Sequence, residues 1–137
     1  MSHILILIAA PHLVLAQPIA LEQVLINLIG NAADAYHASA HGQDDTISVS
    51  GWTEDQTVVL QVADQAGGIP PHVLPRIFDP FFSTKPGTTG TGLGLALAKG
   101  SITEMGGTIT ATNQNGGAVF EIRLPIATVQ AGKPENT

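Results

Sequence analysis

The sequence predicts an α/β domain, and three observations predict it. Two long segments, 19–36 and 93–105, are dominated by Leu, Ile, Ala and Gly-bounded helix formers. Two pairs of short β-type runs, 46–53 with 57–63 and 108–112 with 118–124, are each separated by a few turn-forming residues. A short helical segment, His72 to Ile77, lies between the two halves behind Pro70 and Pro71.

Taken in order, Ile4 to Ile8 and Leu13 to Leu15 read as strands or as one strand interrupted at Pro11. Pro18 is suited to open the first helix, because its missing N–H and fixed φ cost nothing in the first turn. Gly42 to Asp45 reads as a loop, and Glu54-Asp55-Gln56 as the turn of an antiparallel pair. Ser83 to Gly92, made of Ser, Thr, Gly and Pro with one Lys, reads as a mobile loop. The second long helix follows directly and stops at Gly106-Gly107; Asn113 to Gly117 then turns the last hairpin. The expected domain is 4–126, with 127–137 a frayed tail.

Composition narrows the chemistry. A chain of 137 residues has the size of one domain with its own core. It contains no cysteine, which removes thiolate metal sites, thiol nucleophiles and disulfides and fits a cytoplasmic setting. Its net charge of −6 rests on five cations only, Arg76, Lys85, Lys99, Arg123 and Lys133, so the basic footprint of a nucleic-acid binder is missing. A polyphosphate site here must rely largely on backbone amides, helix dipoles and a metal ion. The apolar run Ile4 to Ala10 is too short to cross a bilayer, so no direct membrane contact is expected.

Four motifs carry the candidate chemistry. Gln23, Asn27, Asn31 and Asp34 recur at spacings of four, four and three, giving a polar stripe on an otherwise apolar helix. Asp64-Gln65-Ala66-Gly67-Gly68-Ile69-Pro70 sets a carboxylate at a strand end, where it can accept a hydrogen bond from an exocyclic amine while glycines admit a flat base. Arg76-Ile77-Phe78-Asp79-Pro80-Phe81-Phe82 is an aromatic cluster, with Phe78 read as core and Phe81 and Phe82 as hinging the next loop against it. Gly90-Thr91-Gly92-Leu93-Gly94-Leu95 brings backbone N–H groups to a helix start, a ready anion site. It lacks the Gly-Lys-Ser/Thr of a P-loop and follows a loop instead of a strand, which separates it from a dinucleotide fingerprint.

Each motif alone is weak. Together, in this order over about Ala16 to Leu124, they resemble the N, G1, F and G2 boxes of the catalytic ATP-binding domain of bacterial two-component sensor histidine kinases. Asn-Ala-Ala-Asp-Ala and Phe-Phe-Ser-Thr-Lys-Pro look most like the nitrogen-regulator and dicarboxylate-sensor branch. The resemblance implies a two-layer α/β sandwich, the Bergerat fold, with a mixed sheet of about five strands covered on one face by three helices. It implies ATP and Mg²⁺ as cofactors, Asn31 as the Mg²⁺ ligand and Asp64 as the adenine reader. The nucleotide site would also take Asn27, Asp34, Gly68, Ile69, Phe82, Lys85, Gly90, Thr91, Gly92, Leu93, Gly94, Leu95 and Thr108, the last beneath adenine. Ala66 departs from the G1 pattern at its first glycine; either a left-handed backbone there strains the alanine or Gly67 takes the turn.

The reaction follows from a contrast with the wider superfamily. Gyrase, Hsp90 and MutL, on the same fold, hydrolyse ATP with a glutamate one helical turn before the magnesium asparagine; here that place holds Asn27, which cannot accept a proton from water. The phosphoacceptor histidine lies on a separate helical dimerisation domain in this family, and His3, His12, His37, His41 and His72 all lack its surroundings. The expected role is therefore ATP binding and γ-phosphate donation to that separate domain, with a response regulator as indirect partner and a monomeric isolated domain. A nucleotide-binding regulatory module without kinase activity and a serine-kinase anti-sigma factor are the other two readings.

Overall fold

A computed structural model describes residues 2–9, 18–38, 45–82 and 94–126. They form β1 (Ser2–Ala9), α1 (Pro18–Ala38), β2 (Asp45–Glu54), β3 (Thr57–Ala63), α2 (Gly94–Glu104), β4 (Thr108–Gln114) and β5 (Gly117–Pro125), with a single 3₁₀ turn at Leu74–Arg76 between β3 and α2. The runs at Leu13–Leu15, Ser83–Gly92 and 127–137 lie outside the described residues.

The five strands make one mixed sheet in the order β1-β2-β3-β5-β4. β1 runs parallel to β2, and the other neighbours are antiparallel. Both hairpins turn as their residues require. Asp55 and Gln56 have φ of 51° and 64°, and Asn115 and Gly116 have φ of 52° and 80°. Positive φ at both central residues matches the right-handed twist of paired strands, and Asn-Gly is a favoured pair for it. Asp45, expected in a loop, instead begins β2 opposite Ser2.

α1 lies over β2 and β3, and α2 packs on α1 and β4, so both helices cover one face. The buried stripe of α1 is Leu21, Val24, Leu28, Ala32 and Tyr36, at the i, i+3, i+4 spacing of one helical face. It meets Ile47, Val49, Val58, Leu60, Val62, Phe120, Ile122 and Leu124 from the sheet and Ala98 and Ile102 from α2 in a single core. α2 ends as its glycines predict: Gly106 has φ of 81°, its N–H bonds Thr103 O at 2.9 Å, and the Gly107 N–H reaches back to Ile102 O at 2.9 Å. That is a Schellman cap, which satisfies the last helical carbonyls.

The expected third helix is not α-helical among the described residues. From Pro70 to Phe82 the chain makes mostly i to i+3 bonds, including Arg76 N–H to Val73 O at 2.8 Å and Phe82 N–H to Asp79 O at 3.2 Å, with one i to i+4 bond from Leu74 N–H to Pro70 O at 3.1 Å. Pro75 and Pro80 have no N–H to donate, so no backbone ladder continues through them and the segment stays a series of short turns.

On the open face of the sheet, strand register places Trp52, Val59, Arg123 and Thr108 in one row. Beside it, Glu121 accepts from Gln61 Nε2 at 2.7 Å and from Arg123 Nε at 2.6 Å, while Glu54 accepts from Trp52 Nε1 at 2.9 Å. Partial burial pushes the Glu121 carboxyl up, but the hydrogen bonds from Gln61 and Arg123 and the nearby guanidinium outweigh it and hold the group below the ordinary glutamate value. A depressed folded-state pKa means stability that is present above the ordinary glutamate range and is lost as pH falls through the folded value. Glu121→Gln is therefore expected to lower stability at neutral pH and to flatten its loss in acid, read from urea midpoints measured at stepped pH.

Candidate nucleotide site

The site is built where α1 meets two other elements. Asn27 Nδ2 donates to Gly94 O at 3.2 Å, tying the middle of α1 to the first residue of α2. At the C-terminal turn of α1, the Tyr36 hydroxyl accepts from Gln65 N–H at 2.7 Å and donates to Thr46 O at 2.7 Å. Asn31 and Asp34 lie on the helix between these two ties, both half-buried, while Gln23 is exposed. Of the stripe read from sequence, Asn27 meets the start of α2, and Asn31 and Asp34 follow it at helical spacing along the same face of α1.

That loop carries Asp64, the one buried polar side chain among the described residues, at 6% exposure. Its Oδ1 accepts from Ala66 N–H at 3.0 Å and from Ala118 N–H at 3.2 Å, and its own N–H bonds Ala118 O at 3.0 Å. Among the described residues Oδ2 takes no hydrogen bond. One oxygen is therefore fixed by two backbone amides and the other is available to a donor, the arrangement that reading an exocyclic amine requires.

Glycines set how closely the chain packs here. A Cβ on Gly117 would sit inside the Asp64 carbonyl, so β5 reaches the carboxylate only because residue 117 has no side chain. Gly67 and Gly68 take the left-handed conformations, at φ of 101° and 84°, and Ala66 is not among the positive-φ residues. The departure at Ala66 therefore carries no left-handed strain: the turn has moved to Gly67. Gly68 and Ile69 are held from β4, where Asn113 Oδ1 accepts from Ile69 N–H at 2.7 Å and Asn113 Nδ2 donates to Ile69 O at 2.7 Å.

Phe82 is half-buried against the core with the Arg76 guanidinium 4.7 Å above its ring, and Arg76 also pairs with Asp79 at 3.7 Å. Phe78 meets Phe120 edge-on at 6.1 Å. Phe81 does not join them: it is 76% exposed with φ of 65°, so Phe82 alone anchors the chain as it leaves the cluster. Leu95 packs against the core from the first turn of α2. Lys85, Gly90, Thr91, Gly92 and Leu93 lie outside the described residues.

Thr108 is the residue the structure does not bring to this group. It pairs with Arg123 and, through it, aligns with Val59, whereas Ala63 beside Asp64 aligns with Val119 and Thr112. Four residues of strand, roughly 13 Å, separate the two rows. The residue that β5 places against Asp64 is Ala118. Thr108 looked apt because it follows a glycine pair, but strand register cannot be seen in a local motif. Tyr36, Asn113, Gly117 and Ala118 were missed for the same reason, since each acts on a loop distant in sequence.

With this geometry, the chain belongs to the histidine kinase-, DNA gyrase B- and HSP90-like ATPase family, whose description matches residues 16–128. Similar proteins narrow the branch to sensor histidine kinases. The two-component sensor PprA of Pseudomonas aeruginosa is 46% identical over 114 residues, which is 78% of this chain and 12% of that protein. The sensory histidine kinase/phosphatase NtrB of Rhizobium meliloti is 38% identical over 116 residues, covering 77% of this chain and 30% of its own length. The solved catalytic domain of histidine kinase ThkA superposes with a TM-score of 0.77 at 31% identity, covering 90% of this chain and 78% of that one. Full-length ShkA in complex with AMPPNP superposes with a TM-score of 0.76 at 30% identity, over 90% of this chain and 25% of that one. The fold is that of a histidine kinase catalytic domain, and the chain spans well under a third of the first of these curated relatives.

Proposed function

We propose that the chain binds Mg-ATP and donates its γ-phosphate to a histidine on a separate helical dimerisation domain, with a response regulator receiving the phosphate in turn. The observation that carries the reading is the Asp64 carboxylate, fixed through one oxygen and open through the other at the end of a sheet. In this reading Oδ2 accepts from the adenine amine, and Gly68 and Ile69 line the base. Asn27, Asp34, Phe82, Lys85 and 90–95 surround the phosphates, and the domain works in the cytoplasm. No helix among the described residues is long and apolar enough to cross a membrane.

In this reading Asn31 would supply a side-chain oxygen to Mg²⁺, and the ion would neutralise phosphate charge in the transferring nucleotide. Among the described residues no group of three or more His, Asp and Glu could hold a metal unaided. Mg²⁺ should therefore bind only with the nucleotide, whose oxygens complete the shell. Asn27 donates its amide to a carbonyl and has no basic atom to take a proton from water. The imidazole nitrogen attacks phosphorus, the bond from phosphorus to the β,γ-bridging oxygen breaks, and ADP leaves.

Calorimetric titration with a non-hydrolysable ATP analogue, with and without Mg²⁺, tests the reading. Binding strengthened by Mg²⁺, with the Mg²⁺ gain lost in Asn31→Ala, is expected; no binding at millimolar nucleotide would reject it.

A further inference from the structure

We infer that Tyr36 is a positioning residue for base recognition, acting on Asp64 through the peptide unit that joins Asp64 to Gln65. The inference rests on the reading of Asp64 as the adenine acceptor. Tyr36 is the only tyrosine in the chain and is 7% exposed at the end of the buried stripe of α1. Its hydroxyl accepts the Gln65 N–H at 2.7 Å and donates to Thr46 O at 2.7 Å.

The loop amides show what that bond does. Asp64 N–H goes to Ala118 O at 3.0 Å, Ala66 N–H to Asp64 Oδ1 at 3.0 Å, and Gly67 N–H to Gly116 O at 2.8 Å. Those bonds go to β5, to the hairpin turn and to the loop's own carboxylate. Gln65 N–H alone among these four goes to a helix side chain. The 64–65 peptide is thus gripped from both ends, with its N–H on Tyr36 and its carbonyl pressed against Gly117. A planar peptide held at both ends cannot rotate, and its orientation sets the direction in which the Asp64 side chain leaves the backbone. Because the same hydroxyl is anchored on Thr46, the carboxylate is referenced to β2 and α1 as well as to β5.

Deleting the hydroxyl with Tyr36→Phe keeps the ring in the core but leaves Gln65 N–H without its acceptor. The test compares ATP with purine riboside triphosphate, which lacks the exocyclic amine. The natural chain should prefer ATP. In Tyr36→Phe the ATP affinity should fall about tenfold, the worth of one well-placed hydrogen bond, while affinity for the amine-free nucleotide is unchanged. Equal losses for both nucleotides would mark Tyr36 as merely structural and overturn the inference, as would no loss for either. A natural chain that does not distinguish the two nucleotides would reject the Asp64 reading itself, and that result is visible without any variant. If Tyr36→Phe does not fold, replacing Gln65 by its α-hydroxy analogue removes the N–H and leaves Tyr36 intact. The same selective loss is then expected, and retained preference for ATP would overturn the inference.

Discussion

Asp64→Asn is expected to weaken ATP binding by about a hundredfold or more, on the order of 3 kcal/mol, with little change in the melting temperature of the nucleotide-free protein. The asparagine carbonyl can still accept from Ala66 N–H and Ala118 N–H, so the loop keeps its bonds. The amide nitrogen then replaces Oδ2 and presents a donor to the adenine amine, itself a donor. One charge-assisted hydrogen bond is lost and a donor-donor contact is added. Calorimetry of ATP binding and a thermal melt of the free protein separate the two effects. A variant that binds ATP as well as the natural chain would show that the carboxylate does not read the base. Asp64→Ala is a less clean test, since it leaves two buried amides without an acceptor.

Gly117→Ala is expected to damage both stability and binding. The added methyl would fall within the Asp64 carbonyl and close to the Gln65 backbone. Neither neighbour is a flexible side-chain end, so relief requires β5 and the 64–65 peptide to part. Overpacking of this kind typically costs about 1–3 kcal/mol and can exceed that where backbone must move. The cost falls on the bonds between Ala118 and Asp64, so ATP affinity should drop by more than stability alone explains. Urea unfolding and calorimetry on the same preparation measure both. Gly116→Ala is the control: position 116 has φ of 80°, but open space around its Cβ. It should lower stability through backbone strain by about 1 kcal/mol while leaving the Asp64 contacts in place.

These two variants also show what the sequence could reveal. The place of Asp64 at a strand end was legible from the β-type run before it, but Asp before Gly-Gly is a weak turn signal alone, and the burial and two amide bonds of its carboxylate were not. The spacing of Asn27, Asn31 and Asp34 was legible too, since helical periodicity alone places them together, and the Asn115-Gly116 turn followed from residue type. Gly117 was not legible as an essential close approach. In the sequence it is the second of two adjacent glycines at a turn, and only the pairing of β5 with β3 shows that it abuts Asp64. Thr108 shows the same in reverse, near the glycine pair in motif and four residues of strand from the Asp64 row in register. Tyr36 read simply as the end of an apolar helix, because nothing local to it announces a bond to residue 65. The short helix after Pro71 failed locally: Pro75 and Pro80 lack the N–H that a continued ladder needs, leaving short turns. The parallel pairing of β1 with β2 depends on a crossover through α1 that no local pattern specifies.

A domain that holds ATP for a histidine and spares it from water shows both properties in one assay. The most direct measurement incubates the chain with γ-labelled ATP and Mg²⁺, with and without a separately supplied histidine-bearing dimerisation domain from a kinase of this branch, and follows label on protein and free phosphate together. Negligible phosphate release by the chain alone is expected, with acid-labile label on the added domain that disappears when its histidine is replaced or when the chain carries Asp64→Asn. Rapid phosphate release with no label on the histidine domain would contradict this.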